Sequence, residues 1–230
     1  MTHLQPERAP AWLDSLLRRV GGVDAATLSH HPIPPPEGGR RAAVLVLFGE
    51  DAVHGPDVLL VERASTLRDH AGQVAFPGGG ADPEDPDAVA TALREAEEET
   101  GVEPGGVVPL AVLPELFIPP SGFVVTPVVG YWERPVAVHA VDPGETAAVV
   151  RVPLAALADP ANRLRVRHPS GTTGPAFAVA GLLVWGFTGA LLSALLDLGG
   201  WASPWDITRV DDLSAAWSAA RASRQEVAGS

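Results

Sequence analysis

A chain of 230 residues with 46% hydrophobic and 19% charged residues is long enough for one well-filled core, and its composition is that of an ordered globular protein. The formal net charge of −12 argues against the basic surface that nucleic-acid polymers and anionic membranes require. The lack of cysteine excludes disulfides, thiolate chemistry and cysteine-based zinc sites. A small anionic substrate stays compatible with this composition, provided that arginines or a metal ion meet its charge.

The N-terminal part of the sequence predicts a helix and a linker. Residues 10–20, PAWLDSLLRRV, have the apolar spacing of a short amphipathic helix. Residues 29–39, SHHPIPPPEGG, are too rich in proline for regular structure. We therefore predict an N-terminal helix and Pro-rich linker over 1–39 and a single domain over 40–230. The first residues lack the basic-then-apolar order of a secretory signal, so we expect a cytoplasmic protein.

Strand-like runs predominate after the linker. The first two, AAVLVLF and DVLLVER, are joined by a loop that contains Gly55 and Pro56. Apolar runs predict strands at 42–48, 57–63, 107–112, 123–132, 147–152 and 164–167, and helices at about 187–198 and 211–222. Mixed strands with helices packed on them predict an α/β or α+β domain.

One apolar segment has the length of a membrane span. Residues 174–196 carry no charge and could cross a bilayer by length alone. Glycines interrupt the segment, and its halves differ, because the first resembles a buried strand and the second a helix capped by Thr188. We therefore expect a strand and a helix here, and no membrane span.

The most informative stretch is FPGGGADPEDPDAVATALREAEEETGV, residues 76–102, in which a glycine-rich turn precedes a helix dense in glutamate. The helix is predicted to begin near Asp87 and to end at Gly101.

Three glutamates of this helix, Glu95, Glu98 and Glu99, share an arc of about 100° at about 100° per residue. The apolar face that we expect in the core borders this arc and consists of Val89, Ala92, Leu93 and Ala96. Arg94 lies one turn before Glu98, and we expect the two side chains to pair.

Two interpretations of the acidic face are open. A run of glutamates is commonly a solvated surface. Against this interpretation stand the absence of basic neighbours other than Arg94, the position beside the core, where an unpaired charge is costly, and the glycine turn, whose backbone can approach a ligand closely. Hard oxygen ligands at this density suit Mg²⁺ or Mn²⁺, which bind a few carboxylates together with substrate phosphates. We favour a divalent metal that carries a phosphorylated substrate.

The stretch resembles the Nudix box, G-x5-E-x7-R-E-U-x-E-E-x-G-U, in which U is a bulky aliphatic residue. Its second half reads REAEEETGV at residues 94–102, with alanine at the first U. For the first half, we prefer the register that starts at Gly79 and places Asp85 at the first acid, with one extra residue before the arginine.

This resemblance implies a Nudix-like mixed β-sheet sandwiched between helices and a cofactor, Mg²⁺ or Mn²⁺. Glu95, Glu98 and Glu99 would hold the metal, and Arg94 would orient a glutamate. The general base varies in the family; it could be a helix glutamate or a loop acid, and the loop candidate is Glu145, for which a surface turn residue is the alternative. The implied catalytic residues are thus Arg94, Glu98 and Glu145.

A second pattern precedes the box. LLVERASTLRDHAGQVAFPGG, residues 59–79, resembles the signature of the coenzyme A-directed branch of Nudix hydrolases. The residues expected to contact the substrate are Arg63, Arg68, Gly78 and Gly79. Arginine binds phosphate in a fork geometry, although either arginine could instead pair only with its neighbouring carboxylate, Glu62 or Asp69.

Together the two patterns imply a metal-dependent hydrolase that cleaves coenzyme A or acyl-coenzyme A to 3′,5′-ADP and 4′-phosphopantetheine or its acyl form. Val61 stands where the signature has threonine, so a Nudix hydrolase of ADP-ribose or of a dinucleotide is an alternative. A non-catalytic nucleotide sensor and an acidic interaction protein are further alternatives, and the intact metal motif argues against both. The expected partner is a small nucleotide, without nucleic-acid polymer or membrane, and a homodimer is left open.

Overall fold

The computed structural model describes residues 2–29, 33–36, 38–67, 70–119 and 121–228, without the side chains of 226–228. Within them the chain forms two β-sheets and six α-helices. The larger sheet contains β1 (Arg40–Asp51), β2 (Gly55–Arg63), β3 (Val74–Ala75), β4 (Gly78–Gly80), β5 (Val107–Val112), β6 (Leu116–Ile118), β7 (Phe123–Trp132) and β8 (Thr146–Pro153). The smaller sheet contains β9 (Arg163–Arg167), β10 (Thr173–Val179), β11 (Leu182–Val184) and β12 (Val210–Asp212). The helices are α1 (Asp14–Val20), α2 (Ala25–Leu28), α3 (Ala88–Thr100), α4 (Leu154–Ala158), α5 (Gly186–Gly199) and α6 (Leu213–Ala228).

The larger sheet is mixed. Its strand order is β3-β2-β1-β7-β5, and β4 pairs with β1, β6 with β7 and β8 with β2. The β1 and β7 strands run parallel, and every other pair in this sheet is antiparallel. Both faces of β1 are buried, which explains its near-continuous apolar run AAVLVLF.

Helices cover both faces of the larger sheet. On one face, Ala92 and Ala96 of α3 are buried in a cluster with Leu45. On the other face, α1, α2, α4 and α5 contribute to a larger core with Phe48 and Leu191. Leu45 and Phe48 point to opposite faces because side chains alternate along a strand. The predicted mixed sheet between helices is therefore confirmed.

Both predicted ends of α3 are confirmed. The Asp87 carboxylate accepts hydrogen bonds from the Val89 and Ala90 amides, both at 3.1 Å, and so caps the first turn. Gly101 ends the helix with φ +73°, a left-handed conformation that glycine adopts without steric cost, and its amide donates to the Glu97 carbonyl.

The N-terminal helix exists but is shorter than predicted. A 3-10 turn over Ala11–Leu13 precedes α1, so the α-helix starts at Asp14. Leu13 and Leu16 are fully buried in the core that also contains α5. Residues 33–36, 38 and 39 of the predicted linker carry neither helix nor strand.

The long apolar segment folds as two strands and a helix, whereas its two halves predict one strand and one helix. These elements are β10, β11 and α5. The expected cap at Thr188 is wrong, because the N-cap of α5 is Trp185, three residues earlier, and Thr188 is buried within the first turn. Among the described helices, none combines the length and apolar character that a bilayer crossing requires.

The smaller sheet has the strand order β11-β10-β9-β12, and α6 packs on it. Leu164 and Leu183 of the sheet form a separate small core with Leu213 and Ala216 of α6. The sequence predicts the strand at 164–167 and the final helix, but it does not predict that these strands form a sheet of their own.

Candidate active site

The glutamates of α3 differ in their surroundings. The Glu95 side chain is 17% exposed and Glu99 is half-buried, whereas the Glu98 side chain is 58% exposed. Glu95 and Glu99 therefore lie beside the core, as the helical spacing predicts for all three glutamates, whereas Glu98 departs from that prediction and points outward. Glu97 is exposed.

The β4 turn comes close to both buried carboxylates. Gly78 has φ +155°, and a Cβ atom built there would lie 2.3 Å from the Ala43 carbonyl oxygen, so only glycine fits. Its amide donates a 3.0 Å hydrogen bond to Glu99 Oε2. At Gly79, an added Cβ atom would lie 2.4 Å from Glu95 Oε2. The Glu95 carboxylate thus occupies the space that a side chain at Gly79 would fill, and the Glu99 carboxylate accepts from the amide of Gly78.

Arg94 ties the turn to the helix. Its Nη2 donates to the Gly80 carbonyl at 2.9 Å, and its Nη1 lies 3.0 Å from Glu95 Oε1 and 3.1 Å from Glu98 Oε2. The predicted pairing of Arg94 with Glu98 is therefore confirmed. The side chain of Arg94 is only 25% exposed, so these contacts fix its position.

Asp85 makes the strongest contact of Arg94. Its two carboxylate oxygens accept from Nη2 at 2.9 Å and from Nε at 3.2 Å, and its side chain is 8% exposed. Hydrogen bonding by Arg94 lowers the pKa of Asp85 to about 2. The acid that we placed in the box thus binds the arginine of the box. The sequence did not predict this contact, because Asp85 lies in an irregular turn without periodicity.

Electrostatics sets Glu99 apart. Burial raises its pKa to about 7, and the charge of Glu95 adds to the rise, while the Gly78 amide and the charge of Arg63 oppose it. Burial also raises the pKa of Glu95, against the opposing effect of Arg94. A site with two half-buried carboxylates at the same turn attracts a cation.

Arg63 and Glu145 approach Glu99 from the neighbouring strands. Arg63 ends β2, Glu145 precedes β8, and the Glu145 carbonyl accepts from the Ala64 amide at 2.8 Å. The exposed Glu145 raises the pKa of Glu99, so its charge lies within electrostatic range. Arg63 does not pair with Glu62, which binds Arg224 instead, and the buried Nε of Arg63 has no hydrogen-bond partner among the described residues.

A backbone contact that the sequence did not reveal positions the Glu145 loop. This loop connects β7 to β8 and runs along the end of α3. The His139 amide donates to the Thr100 carbonyl at 3.1 Å, and the Val141 amide donates to the Glu99 carbonyl at 3.3 Å. The loop thereby satisfies carbonyls at the end of α3 and brings Glu145 to the site.

The structure therefore brings most of the predicted site residues together. Those gathered around the β4 turn and α3 are Arg63, Gly78, Gly79, Arg94, Glu95, Glu98, Glu99 and Glu145. Arg68 lies outside the described residues.

The donor set fits a small divalent cation. Among the described residues, no three acidic or histidine side chains converge closely enough to bind one ion together. Glu95 and Glu99 nevertheless flank the same glycine turn, and Mg²⁺ is commonly bound by one or two carboxylates together with substrate phosphates. Glu98 would join them only by leaving Arg94.

Comparisons with known proteins agree with this geometry. A family model, the NUDIX domain, matches residues 38–170. The chain is 44% identical over 127 residues to the uncharacterized Nudix hydrolase NudL of Photorhabdus laumondii. This alignment covers 53% of this chain and 66% of that protein. The NudL protein of Cronobacter sakazakii is 47% identical to this chain over 132 residues, and that of Escherichia coli K12 is 45% identical over 133 residues. Each match spans a little under two thirds of the relative's length.

A solved structure shares the fold. The Nudix hydrolase RenU from M. smegmatis superposes with a TM-score of 0.50 at 19% identity, covering 73% of this chain and 89% of that one. At this identity the likeness concerns the fold alone. Because the domain model spans more than half of the sequence and its helix carries the arginine and glutamates described above, the chain belongs to the Nudix family.

Proposed function

We propose that this chain is a metal-dependent hydrolase that cleaves the diphosphate of coenzyme A or acyl-coenzyme A. The products are 3′,5′-ADP and 4′-phosphopantetheine or its acyl form. The observation that carries this proposal is the placement of Glu95 and Glu99 against the Gly78–Gly79 turn, with Arg63 beside them. Two carboxylates suited to a cation and an arginine suited to phosphate are the groups that binding of a diphosphate requires.

Each residue has a role in this proposal. Glu95 and Glu99 would hold Mg²⁺ or Mn²⁺, and Glu98 would be a further ligand if it left Arg94. Bound metal would neutralise the charge on the diphosphate oxygens. Arg94 keeps Glu95 in place, and the Gly78 amide does the same for Glu99.

The remaining residues act on the substrate and on water. The Arg63 guanidinium, whose Nε has no partner among the described groups, binds a phosphate oxygen. Glu145 is exposed and accepts the proton of the attacking water as general base. Attack forms a new bond from the water oxygen to one phosphorus and breaks the bond from that phosphorus to the bridging oxygen, which leaves with the other phosphate.

Packing explains only part of the coenzyme A signature. Leu59, Leu60 and Phe76 are at most 2% exposed, so the core accounts for them. The core does not account for Arg63, which supports a role in binding. Val61, where the signature has threonine, is 1% exposed, so this departure lies in the core.

Product analysis tests the proposal. Purified protein is incubated with coenzyme A and Mg²⁺ or Mn²⁺, and the products are resolved by chromatography and mass spectrometry. The matched variants are Glu98→Gln and Glu97→Gln, which make the same change at a site residue and at an exposed neighbour. We expect 3′,5′-ADP and phosphopantetheine only with metal, loss of activity in Glu98→Gln, and normal activity in Glu97→Gln.

The outcomes separate the alternatives. Cleavage of ADP-ribose or a dinucleotide, without cleavage of coenzyme A, would support metal binding by the glutamates of α3 but would overturn the coenzyme A assignment. Binding without cleavage of any of these compounds would indicate a nucleotide sensor.

A further inference from the structure

The C-terminal helix α6 lies outside the matched NUDIX domain, yet it contacts the strand end that carries Arg63. Arg224 of α6 forms an ion pair with Glu62, the residue before Arg63. The ring of Trp217 lies against Gly72, where an added Cβ atom would stand 3.5 Å from Trp217 Cζ2. Two points of α6 thus touch the segment that surrounds Arg63.

The first contact neutralises a shielded carboxylate. The Glu62 side chain is 15% exposed and that of Arg224 is 46% exposed. Gly181, in the turn between β10 and β11, leaves room for this approach, because an added Cβ atom would lie 2.5 Å from Arg224 Cβ. Loss of Arg224 would leave the Glu62 charge largely buried without its partner, which costs more than loss of an exposed pair.

The second contact, between Trp217 and Gly72, supports the end of β2, where the pairing with β8 is irregular. The pairing of β2 with β8 shifts register between Glu62 and Arg63. The Arg63 amide donates to the Gln73 carbonyl at 2.9 Å, and the Arg63 carbonyl accepts from the Gly72 amide at 3.1 Å. The backbone of Arg63 therefore depends on residues 72 and 73, and Trp217 packs against the first of them.

We propose that Arg224 and Trp217 are positioning residues for Arg63. Arg224 of α6 holds Glu62 through the ion pair, and the charge of the adjacent Arg63 lies within electrostatic range of Glu99. By fixing the strand end, α6 keeps the guanidinium where it meets the substrate diphosphate. This inference rests on the proposed function, because it assigns Arg63 to phosphate binding.

A double-mutant cycle tests the inference. KM and kcat are measured for the wild type, Arg63→Ala, Arg224→Ala and the double variant, with both coenzyme A and ADP-ribose as substrates. Arg221→Ala is the matched control, since Arg221 is an exposed arginine of the same helix. We expect Arg63→Ala to raise KM about 10-fold or more, as loss of a charged hydrogen bond does. Arg224→Ala should raise KM about 3- to 10-fold with kcat within about 2-fold, which marks lost ground-state binding.

The cycle identifies action through Arg63. In the Arg63→Ala background, Arg224→Ala should change KM by less than about 2-fold, because the group that it positions is gone. Trp217→Phe should keep the wild-type KM, and Trp217→Ala should raise it. Circular dichroism checks folding, and if Arg224→Ala is unfolded, Glu62→Gln removes the ion pair from the other side.

The results distinguish this inference from the function on which it rests. Absence of coenzyme A cleavage by the wild type, with ADP-ribose cleaved, overturns the substrate assignment, while the cycle on ADP-ribose still tests positioning. Additive effects of the two substitutions, a fall in kcat without a change in KM, or an equal effect of Arg221→Ala would overturn the inference. It would likewise be overturned if the wild type cleaved neither compound.

Discussion

Arg94 and Asp85 form a two-point ion pair, with Nη2 2.9 Å from Oδ2 and Nε 3.2 Å from Oδ1. The same guanidinium binds the Gly80 carbonyl and two glutamates of α3. Arg94 therefore connects the turn, the helix and the acid between them. Because the ion pair with Asp85 fixes the guanidinium of Arg94, Arg94 can hold Glu95 in place.

Asp85→Asn should destabilise the protein at neutral pH. The folded-state pKa of Asp85 is about 2, below the ordinary 3.8, so its stabilising effect is complete above 3.8 and is lost as the pH falls through 2. We expect a loss of about 1–2 kcal/mol in the free energy of unfolding at pH 7, after allowance for solvent screening. Urea unfolding at pH 7, 4 and 3 should show that the difference in free energy of unfolding between the variant and the wild type shrinks as the pH falls. Glu84→Gln, at an exposed neighbour, should show no such gap, and a gap independent of pH would contradict the assignment.

Gly79→Ala should reduce activity while the fold is kept. The added methyl group would meet Glu95 Oε2, the end of a flexible side chain, so the overlap is relieved by a shift of Glu95 away from Arg94 and not by a shift of the backbone. Displacement of this carboxylate should lower kcat/KM about 100-fold. Gly80→Ala is the matched control, since a Cβ atom there has its nearest contact, Phe123 Cε1, at 4.0 Å. Equal kinetics of the two variants would refute a role for the close approach.

The parts of the fold that follow from local rules could be predicted from the sequence. Asp87 and Gly101 mark the ends of α3 because capping and left-handed termination depend on a few adjacent residues. The buried face of α3 and the strand β1 follow from the periodicity of apolar residues. The position of Glu95 and Glu99 beside the core follows from the same helical spacing.

Contacts between distant segments could not be predicted in this way. The pairing of Asp85 with Arg94 depends on an irregular turn, and that of Glu62 with Arg224 joins residues far apart in the chain. The cap expected at Thr188 failed because a local preference was overridden by packing of the whole segment 174–196. Such contacts depend on tertiary structure, on which composition and periodicity carry no information.

Asp57 should make the stability of the protein depend on pH in the opposite sense to Asp85. Asp57 is 2% exposed, and burial raises its pKa above 3.8 although Arg151 lies 2.6 Å away and opposes the rise. A raised folded-state pKa means that stability is complete below 3.8 and is lost as the pH rises through the folded value. Relative to Asp57→Asn, the wild type should therefore lose free energy of unfolding as the pH rises above 4, as measured by urea unfolding.

Asp51→Asn provides a control of opposite sign for this prediction. Hydrogen bonds from the His54 and Val53 amides lower the pKa of Asp51, so its contribution is present above 3.8 and is lost as the pH falls. Relative to this variant, the wild type should gain stability as the pH rises from 3. A pH-independent difference between the wild type and Asp57→Asn would show that the buried carboxylate does not titrate differently in the folded chain.

Metal should stabilise the folded chain through Glu99. Burial and the charge of Glu95 disfavour the ionised form of this carboxylate, and a bound cation would remove that cost. A ligand that binds only the native state at 100 times its dissociation constant adds about 2.7 kcal/mol to the free energy of unfolding. Thermal unfolding with Mn²⁺ and with a chelator should therefore give a higher Tm with metal for the wild type and for Glu97→Gln. Glu99→Gln should lose most of this increase, and an undiminished increase in Glu99→Gln would place the metal elsewhere.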